Sequence, residues 1–150
     1  MKQLRIYLDT SVIGGCLDVE FADASRAVLS LATEGKAVLL ISDILIAELQ
    51  RAPIAVQELL AQMPADSVAT VRESAESRTL RDAYLAAGVV GKTHVNDAHH
   101  VALASVAGAD MIVSWNFRHI VHHEKIRAFN AVNLKEGYGI LAIYSPLEVV

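Results

Sequence analysis

Three acidic residues stand at positions where a folded chain could use them to bind a metal ion. Asp9 directly follows an apolar run, Glu48 is surrounded by apolar residues, and Asp97 follows an asparagine of the kind that caps helices. Ionised carboxylates are the ligands that hard divalent cations such as Mg²⁺ and Mn²⁺ prefer. A cation held in this way can activate water against a phosphodiester bond. The three residues therefore indicate a candidate hydrolytic site.

Asp9 is predicted to end the first strand. Residues 4–8 form a short run that is apolar except for Arg5, and such a run is typical of a strand inside a sheet. Thr10 and Ser11 then open the next turn. Binding sites of parallel sheets gather beyond the carboxyl ends of the strands, so a metal or phosphate ligand is expected at Asp9.

Glu48 and Asp97 are both predicted to lie on helices. The helix of Glu48 should begin at Ser42 or Asp43, and its apolar neighbours mean that the Glu48 charge needs a partner. Asn96 is a good N-cap residue for a helix over residues 98–107. The positive end of that helix dipole should keep the Asp97 carboxylate ionised.

Asn116 adds an amide at a further strand end, because it closely follows the apolar residues 111–113. Three carboxylates and one amide fit an all-oxygen site for Mg²⁺ or Mn²⁺. Each carboxylate also has an ordinary interpretation: Asp9 as a turn former, Glu48 as a solvated helix residue, and Asp97 as a first-turn helix charge.

The elements that must position these residues alternate along the chain. The predicted strands cover residues 4–8, 37–41, 111–113 and 140–144, with a weaker candidate at 67–71. Between them, apolar residues recur with the 3.6-residue period of helices. This alternation predicts a three-layer α/β domain with a mostly parallel central sheet of four to five strands.

Composition limits the class of protein. The 150 residues suit one domain over 1–150, and 53% hydrophobic residues are enough for a substantial core. The net charge of −4 argues against a basic surface, so nucleic-acid binding would need a local patch or bound cations. A lone cysteine, Cys16, and the lack of a long apolar run predict a cytoplasmic protein without a membrane partner.

Four segments resemble the PIN-domain nucleases in order and spacing. They are Tyr-Leu-Asp-Thr-Ser at 7–11, residues 42–48, Asn-Asp-Ala-His-His at 96–100 and Ser-Trp-Asn-Phe-Arg-His at 114–119. The likeness is greatest to the small bacterial toxins of the VapC kind. Residues 133–148 of this chain also resemble the C-terminal segment of those toxins. The resemblance implies a PIN-like fold and a metal-dependent endoribonuclease that belongs to a type II toxin–antitoxin pair.

The resemblance also implies roles for individual residues. Asp9, Glu48 and Asp97 would hold Mg²⁺ or Mn²⁺ for RNA cleavage, and three hydroxyl residues would support them: Thr10, Ser11 and Ser114. Many relatives carry aspartate where Asn116 stands, so this chain would bind a second metal more weakly. Proteins of this kind usually form homodimers and are inhibited by a small antitoxin protein.

The segment after Asn116 is the most basic part of the chain. Arg118 and His119 are candidates for contact with RNA, and Trp115 and Phe117 could stack on bases. The preferred interpretation places both aromatic residues in the core instead.

Six histidines make zinc a further possibility, but no cysteine accompanies them. Solvated or RNA-facing histidines are the preferred interpretation. His99 and His100 are neighbours on one helix, and they are not expected to face the core together.

Three other functions remain open. Residues 86–93 satisfy a relaxed phosphate-loop pattern, but they follow a predicted helix, and Gly88 reads better as its C-cap. Asp9 could be a phosphotransferase nucleophile, but Ser11 stands where the general acid is needed. The third alternative is a catalytically weak or inactive PIN-like module that binds RNA or protein, and Asn116 is its support.

Overall fold

A five-stranded parallel sheet forms the centre of the computed structural model, which describes residues 3–149. The strands are β1 (Leu4–Leu8), β2 (Ala37–Ser42), β3 (Val68–Val71), β4 (Met111–Val113) and β5 (Ala142–Tyr144), in the spatial order β3-β2-β1-β4-β5. All the predicted strands are present, and the weak candidate at 67–71 is the edge strand β3. The last strand begins two residues later than predicted, where Ala142 pairs with Met111.

Eight helices accompany these strands within the described residues, seven of them between strands and α8 after β5. They are α1 (Thr10–Gly15), α2 (Ala22–Thr33), α3 (Asp43–Leu49), α4 (Ile54–Ala61), α5 (Ala75–Ala86), α6 (Val95–Val106), α7 (His123–Lys135) and α8 (Pro146–Val149). Short 3₁₀ turns lie at Ala65–Ser67 and Lys92–His94. None of the helices traced in residues 3–149 combines the length and the apolar character that a bilayer span requires.

The helices cover both faces of the sheet, which confirms the predicted three-layer α/β/α architecture. Alternate residues of β1 enter different cores: Tyr7 packs with residues of α5, α6 and α7, whereas Ile6 and Leu8 pack with residues of α1, α2 and α3. This alternation follows from the two-residue period of a strand. Because β1 is the central strand, its carboxyl end at Leu8 is surrounded by structure on both sides.

Two helix starts illustrate what the sequence could and could not predict. The Ser42 hydroxyl accepts a hydrogen bond from the Leu45 N–H at 3.1 Å and caps α3, as expected. Helix α6, in contrast, begins at Val95, with His94 at the N-cap position, so the prediction of Asn96 as the cap is wrong. The 3₁₀ turn at Lys92–His94 leads directly into α6, so the helix begins before Asn96, closer to the N-terminus than predicted.

The segment that resembles a phosphate loop follows a helix, not a strand. Helix α5 ends at Ala86, and Gly88 follows its C-cap with a φ of +74°. This left-handed conformation is the one that glycine adopts at helix ends. The structure therefore rejects a nucleotide-binding loop here.

Both His99 and His100 are buried, each with 1% exposure, and the expectation that they cannot share the core is wrong. Helix α6 lies between α5 and the sheet, so two of its sides are covered. The His99 Nε2 atom lies 3.1 Å from the Ser77 hydroxyl of α5, and the His100 Nδ1 atom lies 2.7 Å from the Tyr7 hydroxyl of β1. Neither histidine is solvated.

Trp115 and Phe117 differ in their burial. The Trp115 indole is half-buried against the Phe21 ring, at a centroid distance of 4.5 Å, and its Nε1–H donates to the Ser25 hydroxyl at 2.7 Å. Phe117 is 49% exposed. The preferred placement of both aromatic residues in the core is therefore wrong for Phe117.

Gly15 allows α1 and α2 to approach each other beside Trp115. A Cβ atom at Gly15 would lie 2.5 Å from the Ser25 hydroxyl oxygen and 2.9 Å from the Trp115 Nε1 atom. These distances are shorter than van der Waals contact, so the Trp115–Ser25 hydrogen bond requires glycine at this position.

We expect Gly15→Ala to lower the free energy of unfolding by about 1–3 kcal/mol, the usual cost of overpacking a core. Gly14→Ala is the matched control, because a Cβ atom there meets nothing within 4 Å. An alanine at Gly14 should be neutral or stabilise α1 by up to about 1 kcal/mol. Urea denaturation of both variants measures the difference, and equal stabilities would contradict the close approach.

Candidate metal centre

Asp9 is the carboxylate at the centre of the candidate site. It follows β1 directly, is 6% exposed, and precedes the first residue of α1. Its Oδ2 atom accepts hydrogen bonds from the hydroxyls of Ser11 at 2.9 Å and Ser114 at 2.7 Å. Its Oδ1 atom lies 3.7 Å from the His100 Nε2 atom. Asp9 is thus oriented by residues that follow both β1 and β4.

The two serines also fix the chain after β4. The Ser11 hydroxyl accepts the backbone N–H of Trp115 at 2.9 Å, and the Ser114 hydroxyl accepts the N–H of Asn116 at 2.9 Å. Each serine can therefore donate to Asp9 while it accepts from this segment. The ends of β1 and β4 are joined through side chains as well as through the sheet.

Glu48 reaches the same place from α3. Its Oε1 atom accepts the Thr10 hydroxyl at 2.9 Å and lies 2.6 Å from the His100 Nε2 atom. The Glu48 side chain is 35% exposed, whereas that of His100 is 1% exposed. The partner that the apolar surroundings of Glu48 require is therefore a buried histidine together with a threonine.

His100 is held in place from its other side by Tyr7. The Tyr7 hydroxyl lies 2.7 Å from both the His100 Nδ1 atom and the Ser42 hydroxyl. Burial raises the pKa of the Tyr7 phenol, which therefore stays neutral. A doubly protonated His100 would donate to Tyr7 through Nδ1 and to Glu48 through Nε2, while Tyr7 would donate to Ser42.

Electrostatics favour the charged forms of His100 and Glu48 together. Burial alone would lower the pKa of His100, but the Glu48 hydrogen bond and the charges of Asp9, Glu48 and Asp97 outweigh burial and raise it. Burial would likewise raise the pKa of Glu48, but the hydrogen bonds from His100 and Thr10 and the His100 charge lower it. The pair supplies one positive charge among the carboxylates.

Asp97 completes the carboxylate group from α6. Burial and the negative charge of Asp9 raise the pKa of Asp97, although nearby histidines partly offset them. The prediction that Asp97 is ionised stays a prediction, because these opposing influences fix only the direction in which its pKa moves. Asp97 lies one helical turn before His100 on α6, and its Oδ2 atom lies 3.5 Å from the His94 Nδ1 atom.

Asn116 directs its side-chain oxygen into its own turn. The Oδ1 atom accepts the backbone N–H of His119 at 2.9 Å and that of Arg118 at 3.2 Å. Its backbone carbonyl accepts from Ile120 and Val121. Asn116 thus stabilises the turn that carries Arg118 and His119, and its amide oxygen is not turned toward the carboxylates.

The two residues predicted to contact RNA differ in their surroundings. Arg118 is exposed, and among residues 3–149 its guanidinium has no hydrogen-bond or ion-pair partner in the structure. His119 is half-buried, and its ring stacks on that of His94 at a centroid distance of 3.6 Å. Burial and the charge of His94 lower the pKa of His119.

A small cleft lies beside Glu48, with a volume of about 130 Å³. Its walls include Ile44 of α3, Arg51 just after α3 and Asn96 of α6. The cleft has room for a few water molecules or a hydrated ion.

Asp9, Glu48 and Asp97 offer carboxylate oxygens, the ligand type that a hard divalent cation takes. Among residues 3–149 these three carboxylates are not a compact ligand group, because the group whose ligand atoms lie within 4.8 Å of one another is His94, Asp97 and His119. The negative charge of Asp9 raises the pKa of Asp97, and the charges of His119, His100 and His94 lower it. Magnesium and manganese prefer carboxylate oxygens and keep several waters. A cation at this edge would therefore relieve a repulsion that the protein alone leaves.

The sequence did not predict that Tyr7, Ser42 and His100 form one hydrogen-bonded chain in this site. Ser42 was recognised only as a helix cap, and its hydroxyl serves Tyr7 as well. A signal was present, because His100 follows Asp97 by three residues and so lies on the same side of α6. The sequence could not show that a residue of β1 would contact it.

Comparisons with known proteins agree with the fold. The profile of a family described as PIN domain matches residues 5–118. The fold is similar to the crystal structure of VapBC2 from Rickettsia felis bound to a DNA fragment from their promoter, with a TM-score of 0.57 and 17% identity. That match covers 95% of this chain and 98% of the other chain. No curated protein matches the chain.

The raised pKa of Asp97 leads to a stability prediction for the metal-free protein. Because its folded pKa is above the ordinary value of 3.8, the ionised form destabilises the fold, and this effect is fully present at pH 7. In EDTA, Asp97→Asn should raise the free energy of unfolding by about 0.5 kcal/mol, the size of a partly exposed charge interaction. The gain should shrink as the pH falls toward 3.8.

Urea denaturation at several pH values measures this difference. Asp82→Asn is the control, because the Asp82 side chain is 64% exposed and lies on α5, away from the carboxylates. A loss of more than about 1 kcal/mol in Asp97→Asn would mean that this carboxylate holds the fold together.

Proposed function

Because this chain belongs to the PIN-domain family, a family of nucleases, we propose that it is a metal-dependent endoribonuclease that hydrolyses RNA phosphodiester bonds. The observation that carries the proposal is that Asp9 and Glu48 lie 3.7 Å and 2.6 Å from one buried histidine, His100. Asp97 lies on the same helix, one turn before His100, so we infer that three carboxylates serve this edge of the sheet: Asp9, Glu48 and Asp97. Their oxygen atoms are a donor set suited to Mg²⁺ or Mn²⁺.

Each residue of the site has a defined task in this proposal. Asp9, Glu48 and Asp97 would hold the cation, which when bound would neutralise charge on the scissile phosphate and activate a water molecule. Ser11 and Ser114 keep the Asp9 carboxylate in one orientation.

Thr10 and His100 do the same for Glu48. They both contact its Oε1 atom, so its Oε2 atom is left for the cation. The hydroxyl and the imidazole thus position the carboxylate without contact with the substrate.

RNA would approach over the turn that Asn116 stabilises. Arg118 offers an exposed charge for a backbone phosphate, and Phe117 offers a 49% exposed ring on which a base could stack. His119, in the same turn, brings a ring nitrogen within 4.8 Å of a carboxylate oxygen of Asp97. The acidic net charge of the chain does not prevent RNA binding in this proposal, because bound cations and a few basic residues would face the phosphates.

We further propose that the protein is a cytoplasmic toxin of a toxin–antitoxin pair and forms a homodimer. The similar fold of VapBC2 supports a small antitoxin as the partner. An apolar cleft of about 230 Å³ between α3 and α4 also supports a protein partner. Exposed apolar residues lie on these two helices, with Ile46 at 40% and Ile54 at 71% exposure.

A catalytically weak or inactive module that binds RNA or protein is the second candidate. Asn116 favours it, because this residue supplies no negative charge and its oxygen is used within its own turn. The close carboxylates favour the nuclease, since a pure binding module has no need to hold like charges together.

Cleavage of a mixed pool of small RNAs tests the proposed function. The purified protein should cut RNA in Mg²⁺ or Mn²⁺ and stop in EDTA. Asp97→Asn and Asp9→Asn should each reduce the rate by at least about a hundredfold, because a direct ligand of the cation is lost. Asp82→Asn, prepared identically, is the control for a contaminating nuclease and should cut like the wild type.

The same variants separate the two candidate functions. An inactive module would show no metal-dependent cleavage, and Asp9→Asn would bind RNA at least as tightly as the wild type because a repelling charge is removed. Equal cleavage by the wild type and Asp97→Asn would contradict the proposed site.

Asn116 provides a second functional prediction. Asn116→Asp retains an acceptor for the His119 N–H and adds a negative charge to the turn whose His119 ring lies beside Asp97. The Mn²⁺ concentration for half-maximal cleavage should fall by at least about threefold, because attraction to a nearby divalent cation increases. Gln62→Glu, which adds the same charge at the exposed end of α4, is the control. An unchanged Mn²⁺ requirement would show that position 116 does not face the cation.

A further inference from the structure

Two histidines from different parts of the chain meet next to Asp97. His94 precedes α6, and His119 lies in the turn between β4 and α7. Their rings stack at a centroid distance of 3.6 Å, and the His94 Nδ1 atom lies 3.5 Å from the Asp97 Oδ2 atom. One ligand atom from each of the three side chains falls within 4.8 Å of the others. This group shares Asp97 with the carboxylate site but replaces the other oxygen ligands by two imidazole nitrogens.

We propose that His94, Asp97 and His119 form a site for a divalent transition metal ion of the Zn²⁺ type. Two imidazole nitrogens and one carboxylate oxygen are the ligand types that Zn²⁺ takes, and three protein ligands leave a position for water or phosphate. Magnesium prefers oxygen ligands to imidazole. Zn²⁺ should therefore prefer the histidine cluster, and Mg²⁺ should prefer the carboxylates. The inference requires no nuclease activity.

Metal binding requires the two stacked imidazole rings to turn, because each binds an ion through a lone pair in the plane of its own ring. Zinc bonds of about 2.0–2.2 Å place ligand atoms roughly 3.3 Å apart in a tetrahedral site. The contact between His94 and Asp97 is already near this distance at 3.5 Å. All three residues are half-buried, so the site is open to an incoming ion while part of its surface excludes water.

The backbone around the site is fixed independently of the two imidazoles. His94 makes no side-chain capping hydrogen bond to α6, although it occupies the N-cap position. The backbone N–H of His119 is held by the Asn116 side chain. Substitution of either ring should therefore leave α6 and the turn in place, which makes His94→Ala and His119→Ala clean variants.

Calorimetric titration with Zn²⁺ in the absence of RNA tests the proposal. The wild-type protein should bind one Zn²⁺ ion per chain, and His94→Ala and His119→Ala should each weaken the affinity by at least about tenfold. His123→Ala is the matched control, because His123 is exposed and stacks on His122 outside the cluster. Imidazole nitrogen NMR signals should shift on addition of Zn²⁺ for His94 and His119 and not for His123.

A further variant separates this site from the oxygen cluster. Asp9→Asn should retain Zn²⁺ binding, because Asp9 is not a member of the histidine cluster. Unchanged affinity in both histidine variants would overturn the proposal, as would a loss in Asp9→Asn as large as theirs. Failure of RNA cleavage with intact, histidine-dependent Zn²⁺ binding would refute the proposed nuclease and leave this inference standing.

Discussion

The need to balance negative charge at one edge of the sheet governs the arrangement of the site. Asp9, Glu48 and Asp97 arrive there from three elements, and the buried His100 lies among them. A buried charge is stable only where partners surround it. The Tyr7 hydroxyl, fixed by Ser42, completes the set, so the core of the sheet and the site share the same residues.

The topology explains why these residues can meet. Strand β1 is central, with β2 on one side and β4 on the other, and the segments after all three strands lie at the same edge. Asp9 follows β1, α3 with Glu48 follows β2, and Ser114 follows β4. This is the arrangement by which parallel sheets form sites from residues far apart in sequence.

Much of the fold was predictable because a parallel sheet buried on both faces leaves continuous apolar runs. The position of Asp9 was predictable for the same reason, since a polar residue directly after such a run lies at the edge. The role of His100 was not, because adjacent histidines on a helix seem equivalent until the packing of α6 between α5 and β1 is known. The start of α6 and the turn at Asn116 depend on neighbouring turns, which a local cap pattern does not describe.

Trp115 gives the site a built-in optical signal. It is the chain's only tryptophan, its ring packs beside Phe21, and its backbone N–H donates to the serine that holds Asp9. The emission of this indole arises from one known place, two hydrogen bonds away from the central carboxylate. Intrinsic fluorescence can therefore report structural changes at the edge of the sheet in the unlabelled protein. The signal is not an average over several tryptophans.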